Sequence, residues 1–492
     1  MPQRITRRIQ AVLLGVALSL LGSLSVAAGQ IDEAARLDEL RRLRDHLQVT
    51  ASLRDSDAVV VVNERLIAEA ARQFIGLEVA LANGSTVRVT SVEAELKTAA
   101  ALVKIGLQAK SSVTVNLQLL GRINGGEIEN GVLRLPYRIM EVRLANGLFS
   151  SLLIKSRLGE WLKPETWNDE LPALELPLEI SDVLRIPAGR YDVQGDLPME
   201  ITSSALQAEA KLTITSLLVL EKRAVLALQL AGAEPRAIPV SFGGANDRDP
   251  RALETEIESL AARLNVDADL RLRLGRRFLS SVLAQFAGAQ TRDFDIKLKP
   301  GRVRTEEVSA FVKITNYTDI ESGEGLADIR ELGLDQIAEG RIQLRLQGLG
   351  ELDTRLRGKE YGIPYSFSPR VNFAIRDQSL PLQFVTENGR LLLRPLSGTT
   401  LPMQLRFSTN VAGQEIGINR TIVLQADRMF NRIELPAFFG RELPLPRRIE
   451  IDANGGYQVT KHQKLNYLLG NLRINANEDV LDVLADVKLS TP

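Results

Sequence analysis

Residues 59–76 read VVVVNERLIAEAARQFIG. Four consecutive valines predict a wholly apolar, buried strand. After them the apolar period lengthens. Leu66, Ile67, Ala70, Ala71, Phe74 and Ile75 fall on one helical face, Asn63 is placed to cap the first turn, and Gly76 to stop the last. The spacing predicts a helix over 64–75, about 18 Å long at 1.5 Å per residue.

From about residue 79 to 145 the period changes to two. Ala101, Val103, Ile105, Leu107 and Ala109 alternate with polar or small residues, then Val113, Val115, Leu117 and Leu119. Asn124-Gly125-Gly126 marks a hairpin, and Leu133, Leu135, Tyr137 and Ile139 alternate after it. The pattern predicts long antiparallel strands with one apolar face. A second amphipathic helix is expected over 148–162, with Leu152 and Leu153 in its stripe. ELPALELPLEI (170–180) is extended because each proline disfavours helix. Gly323-Glu324-Gly325 reads as a turn.

Residues 243–251 (GGANDRDPR) read as a linker, after which the chain starts again. Laid beside 59–76 without a gap, residues 271–288 match it at the apolar helix positions: Leu66 meets Phe278, Ile67 meets Leu279, Ala70 meets Val282, and Phe74 meets Phe286. Gly76 meets Gly288. Alternating strands follow again, among them Met403, Leu405 and Phe407, then a short helix near 426–431 and a second Glu-Leu-Pro stretch at 442–446. The order predicts an internal duplication of a unit near 200 residues. The alternative is two unrelated domains with a chance match.

Residues 1–28 stand apart. Arg4, Arg7 and Arg8 precede the apolar run AVLLGVALSLLGSLSV, and small residues follow, which predicts a secretory signal. An uncleaved inner-membrane anchor is the alternative. Residues 29–56 hold an amphipathic helix and linker, with Leu37, Leu40, Leu43 and Leu47 at helical spacing. Export without a single cysteine means that the fold rests on its cores and not on disulfides. The bacterial periplasm of a Gram-negative-type cell is the expected location.

The composition carries 61 basic and 61 acidic residues, so nothing points to nucleic acid. His46 and His462 are the only histidines, sit in charged or polar stretches, and read as solvated. Their scarcity and the lack of cysteine leave no His-rich or Cys-rich metal spacing, and no Walker, G-x-S-x-G or H-E-x-x-H pattern occurs. No enzyme and no cofactor are expected. Arg271, Arg273, Arg276 and Arg277 form a basic cluster that suits either a phosphate-binding surface or a solvated corner.

Strand, long helix, long antiparallel strands, second helix and closing strands, carried by Val59–Gly76 with Leu148–Leu162 and again by Arg271–Gly288, resemble a module of the tubular lipid-binding (TULIP) superfamily. That group includes bactericidal/permeability-increasing-like proteins and synaptotagmin-like mitochondrial lipid-binding domains. The lack of cysteine departs from the animal members, which carry a disulfide. The resemblance implies an α+β fold of two tandem modules, over 57–245 and 246–492. Each would be a highly twisted antiparallel sheet wrapped around a long amphipathic helix, with an apolar channel for acyl chains.

Candidate lining residues are Leu66, Ile67, Ala70, Phe74, Leu152, Leu153, Phe278, Leu279, Val282 and Phe286. The same residues could fill a closed core. Burying ten methylenes would contribute about 8 kcal/mol before the cost of ordering the chain. The expected function is a periplasmic lipid-binding or lipid-transfer protein with a lipid or other acyl ligand and transient membrane contact. The alternative is a non-enzymatic structural or interaction protein of the envelope with filled cores. An outer-membrane barrel fits poorly, since aromatic residues are only 5% and helices interrupt the strands.

Overall fold

The computed structural model describes residues 33–490, leaving out 146–161, 231–248, 287–293, 435–441, 452–456 and several shorter stretches. The leader at 1–28, residues 148–161 of the helix expected over 148–162 and most of the linker therefore lie outside the described residues, while Leu162 is half-buried against the core.

The chain runs through α1 (Glu33–Ser52), β1 (Ala58–Asn63), α2 (Glu64–Arg72), β2 (Glu78–Ala80), β3 (Thr86–Lys97), β4 (Ala100–Lys110) and β5 (Thr114–Asn124). Next come β6 (Glu127–Glu129), β7 (Val132–Leu135), β8 (Tyr137–Leu144), β9 (Leu174–Pro177), β10 (Glu179–Ile186), β11 (Gly189–Val193), β12 (Met199–Ser203), β13 (Leu206–Leu220) and β14 (Arg223–Leu230). The later part holds α3 (Pro250–Ala262), β15 (Leu270–Gly275), α4 (Arg276–Phe286), β16 (Phe294–Leu298), β17 (Gly301–Ser309), β18 (Lys313–Ala338), β19 (Arg341–Glu360), β20 (Ile363–Phe367) and β21 (Arg370–Glu387). It closes with β22 (Arg390–Pro395), β23 (Thr400–Val411), β24 (Gln414–Gln425), α5 (Ala426–Met429), β25 (Ile433–Glu434), β26 (Glu442–Ile451), β27 (Tyr457–Ala476) and β28 (Val480–Ser490).

The fold is mostly sheet, which corrects the α+β expectation of a long helix inside each module. The helices after β1 and β15 have 9 and 11 residues. The cause is visible at the end of α2. Asn63 caps it as expected, accepting from the Arg65 N–H at 3.1 Å. Beyond Arg72 the bonds tighten to three-residue spacing, with the Phe74 N–H on the Ala71 carbonyl and the Ile75 N–H on that of Arg72. Gly76 then takes φ of 91° and turns the chain away. Phe74 thus sits on the turn after the helix.

Among the described residues one curled sheet of 23 strands holds most of the secondary structure. Its neighbours run β8–β5–β4–β3–β2, across a parallel step to β26, then β27–β28–β15–β1–β14–β13–β10–β25–β22–β21–β19–β18–β16–β12–β11. Strands from early and late sequence alternate along this path. As a result α2 packs on β1, β3 and the late β28, while α4 packs on β15, β18 and the early β13.

The valine run is now accounted for. β1 lies in the middle of the sheet, bonded to β14 on one side and β15 on the other. Ala58 and Val60 face the main core, which also holds Ile67, Phe74, Phe278 and Leu279. Val59 and Val61 face the opposite side, under Leu40, Leu43 and Leu47 of α1 and Leu253 and Ile257 of α3. Both faces are covered, so no position is left for a polar side chain.

Curvature on the far side comes from three register shifts between β18 and β19, since each bulge adds local twist. The Gly323-Glu324-Gly325 stretch read as a turn lies within β18. A Cβ at Gly323 would stand 2.8 Å from the Leu298 side chain, so glycine there admits close approach of β16.

Candidate functional site

β23 and β24 pair with each other along their full length, from Thr400 opposite Gln425 to Val411 opposite Gln414. Among the described residues they join no other strand. The hairpin has a strict inside and outside. Leu401, Met403, Leu405, Ile422 and Leu424 are buried, whereas Pro402, Gln404, Thr421, Val423 and Gln425 are exposed. Such alternation buries one face and leaves the other to water. The buried face packs toward β21.

An apolar slot lies between this hairpin and the curled sheet. The hairpin contributes Leu401, Met403 and Leu424. The sheet contributes Ile201 from β12, Phe294 and Ile296 from β16, Ala327 and Ile329 from β18, Leu346 from β19, and Phe373 and Ile375 from β21. Gly348 and Leu349 complete it, with Asp328 as its one charged residue, whose carboxylate lies 3.4 Å from the Arg330 guanidinium. The enclosed space is about 30 Å³, room for about one water-sized molecule before the walls part. Its inner part is narrow, a slot and not a chamber. A Cβ at Gly348 would stand 3.0 Å from the Asp328 carbonyl oxygen of the neighbouring strand β18, so glycine there serves the approach of β18 and β19 within the sheet.

The residues expected to line a channel lie elsewhere. Ile67, Phe74, Phe278, Leu279 and Val282 are buried in the main core, and Leu66 and Ala70 are half-buried. None of these lines the slot. Phe286 ends α4, with its side chain outside what is described, and Leu152 and Leu153 lie outside the described residues. The structure therefore gathers the helix residues of both halves into one continuous core. The slot residues escaped notice because strand alternation shows which face is apolar but not what covers it.

Half of the basic cluster is spent on one buried carboxylate, and Arg276 and Arg277 remain exposed. Arg271 reaches Asp482 at 2.7 Å and Arg273 the same carboxylate at 2.9 Å. Burial pushes the Arg273 guanidinium below its ordinary value, against the pull of Asp482. Arg276 donates to the Asp335 carbonyl at 2.9 Å, and Arg277 lies 3.9 Å from Asp57. Arg271 and Arg273 are thereby held by Asp482, while Arg276 and Arg277 sit at a solvated corner. His46 is half-buried on α1, not solvated as expected.

No family model and no curated protein sequence matches this chain. Among solved structures, a chain described as "Crystal structure of lipopolysaccharide binding protein" is similar over 88% of this chain and 99% of that one, at 9% identity and a TM-score of 0.24. A TM-score at that level carries no argument about fold or ligand.

Proposed function

We propose that the protein binds the hydrocarbon chain of a lipid and carries it within the bacterial envelope. The observation behind this reading is the apolar slot between the β23–β24 hairpin and the curled sheet, lined almost wholly by hydrocarbon. Apolar walls with little polar content suit an alkyl chain, whose transfer from water is worth about 0.8 kcal/mol per methylene. Ordering the chain and parting the narrow walls take some of this back. The reading assigns no catalytic group and no cofactor. Periplasmic location rests on the arginine-led apolar leader at 1–28. Contact with a membrane would be transient, during loading and release.

A second reading, a non-enzymatic structural or interaction protein of the envelope, is favoured by one observation. Ile67, Phe74, Phe278, Leu279 and Val282 fill a shared core. One experiment separates the two. The exported protein is purified without detergent, its co-extracted lipids are identified by mass spectrometry, and a fluorescent fatty acid is titrated into it. Bound lipid or saturable probe binding supports the carrier. Lipid-free protein that ignores the probe supports the filled-core reading.

A further inference from the structure

We infer that the β23–β24 hairpin is a movable cover, and that the slot beneath it takes a single unbranched hydrocarbon chain when the hairpin swings away from the sheet. This rests on the carrier reading for its ligand but not for its motion.

The first argument is the hairpin's attachment. Among the described residues its ladder is internal, and the side chains on its described buried face are apolar. Lifting it breaks no bond of the sheet's ladder. It exposes Leu401, Met403, Leu405, Ile422 and Leu424, and a chain in the slot restores the part of that burial at Leu401, Met403 and Leu424.

The second argument is the root. Leu396 donates its N–H to the Pro381 carbonyl of β21 at 3.0 Å, and Thr399 closes a turn back onto the Leu396 carbonyl at 3.0 Å. Gly398 inside this turn has φ of 80° and nothing within 4 Å of where a Cβ would lie. On the other strand the Ala426 N–H returns to the Thr399 carbonyl at 2.9 Å. The two strands are therefore pinned together at one end, with an unobstructed glycine turn beside the pin. That is the arrangement of a flap hinged at its root.

The third argument is the slot's shape. Its enclosed space is only about 30 Å³, so entry requires the hairpin to move and favours the slimmest apolar ligand, an unbranched chain. Its walls hold no cation for a headgroup, so the headgroup stays outside.

The test uses the full exported chain. The sequence has no cysteine, so Met403→Cys places one thiol on the slot face of the hairpin. Leu356→Cys places one on the sheet's buried face, away from the hairpin. A maleimide is expected to label the hairpin thiol at least about tenfold faster than the sheet thiol, because opening of the flap costs less than global unfolding. Dodecanoate should slow labelling of the hairpin thiol about tenfold, and the ring-bearing deoxycholate should not. Equal labelling rates in ligand-free protein overturn the cover. Dodecanoate that displaces a fluorescent fatty acid yet leaves labelling of the Met403→Cys variant unchanged overturns the slot as its site. A protein that binds no chain defeats the carrier reading, while the ligand-free rates still judge the cover. If either variant misfolds, hydrogen exchange of the unmodified chain gives the same comparison between residues 400–425 and β18–β19. A lone hairpin is marginally stable once lifted and exchanges from that state.

Discussion

Val60 lies directly opposite Leu272 in the antiparallel pair of β1 and β15, and Leu272 stands 212 residues after Val60. The contacts around this point come in matched pairs. The Asn63 N–H donates to the Asp269 carbonyl and the Gly275 N–H to the Asp57 carbonyl. The Asp269 carboxylate accepts from Arg65 at 2.5 Å, and Arg277 approaches the Asp57 carboxylate at 3.9 Å. Asp57 and Asp269, Asn63 and Gly275, and Arg65 and Arg277 are each 212 residues apart. Each aspartate also accepts from a strand N–H: Val487 for Asp269 at 3.0 Å, Leu230 for Asp57 at 2.8 Å.

This reciprocity predicts which group carries the energy. Arg65 is mostly in solvent, with 70% of its side chain exposed, and Asp269 is 3% exposed. Arg65→Ala removes an exposed guanidinium but leaves the buried Asp269 carboxylate with the Val487 N–H, and should cost about 1–2 kcal/mol. Asp269→Ala also strands the buried Val487 N–H and should cost about 2–3 kcal/mol. Asp57→Ala should resemble Asp269→Ala, through the Leu230 N–H. Urea unfolding of the variants decides the matter, and equal midpoints for Arg65→Ala and Asp269→Ala would refute it.

The outer face of β1 makes α1 part of the structure and not an appendage. Leu47 is fully buried beside Val59 and Val61. Leu47→Ala should cost about 2–4 kcal/mol and release α1, because truncation of a buried leucine loses both transfer energy and packing. Limited proteolysis would show it as early cleavage within 33–52. Unchanged protection of that segment would mean that α3 alone covers the valines.

How far the sequence was legible follows from these residues. The apolar run at 59–62 carries its own explanation, since only a strand covered on both faces can lack a polar position. The Asn63 cap and the Gly76 stop are local and were legible too. Helix length was not, because the apolar face continues through Phe74 although the backbone has already left the helix at Arg72. A side chain on a three-residue turn points inward as well as one on a helix. The hairpin's separation from the sheet is a tertiary fact that alternation at Met403 and Leu405 cannot convey.

The half-buried His46 should make stability depend on pH. Burial pushes its imidazole below the ordinary value, with Asp45 opposing and Arg42 assisting. The unfolded chain takes up its proton near pH 6.5, and the folded chain only at lower pH. In that window the unfolded state binds more protons, so stability falls as pH drops below about 6.5. Glu39 on the same helix has the opposite sign. Burial raises its carboxyl despite Arg122, and its effect lies just above the ordinary carboxylate range. Between pH 7.5 and 5.5 the native protein should therefore lose more thermal stability than His46→Gln. Parallel Tm profiles for the two would remove His46 as the cause.

The sharpest contrast is between the core and the slot. Phe74 is fully buried in the main core, and Met403 is 2% exposed on the slot face of the hairpin. Phe74→Ala should cost about 3–5 kcal/mol of stability, as for other large aromatic truncations. It should leave fatty-acid affinity of the folded protein within about twofold, because the residue touches no part of the slot. Met403→Gln keeps a similar volume but places an amide where an alkyl chain would lie. Desolvating that amide without a partner costs at least about 1–3 kcal/mol, so affinity should fall about tenfold or more. Titration of a fluorescent fatty acid at a temperature where both variants are folded compares them directly. The reverse outcome, affinity lost with Phe74→Ala and kept with Met403→Gln, would move the ligand from beneath the hairpin to the helix-filled core.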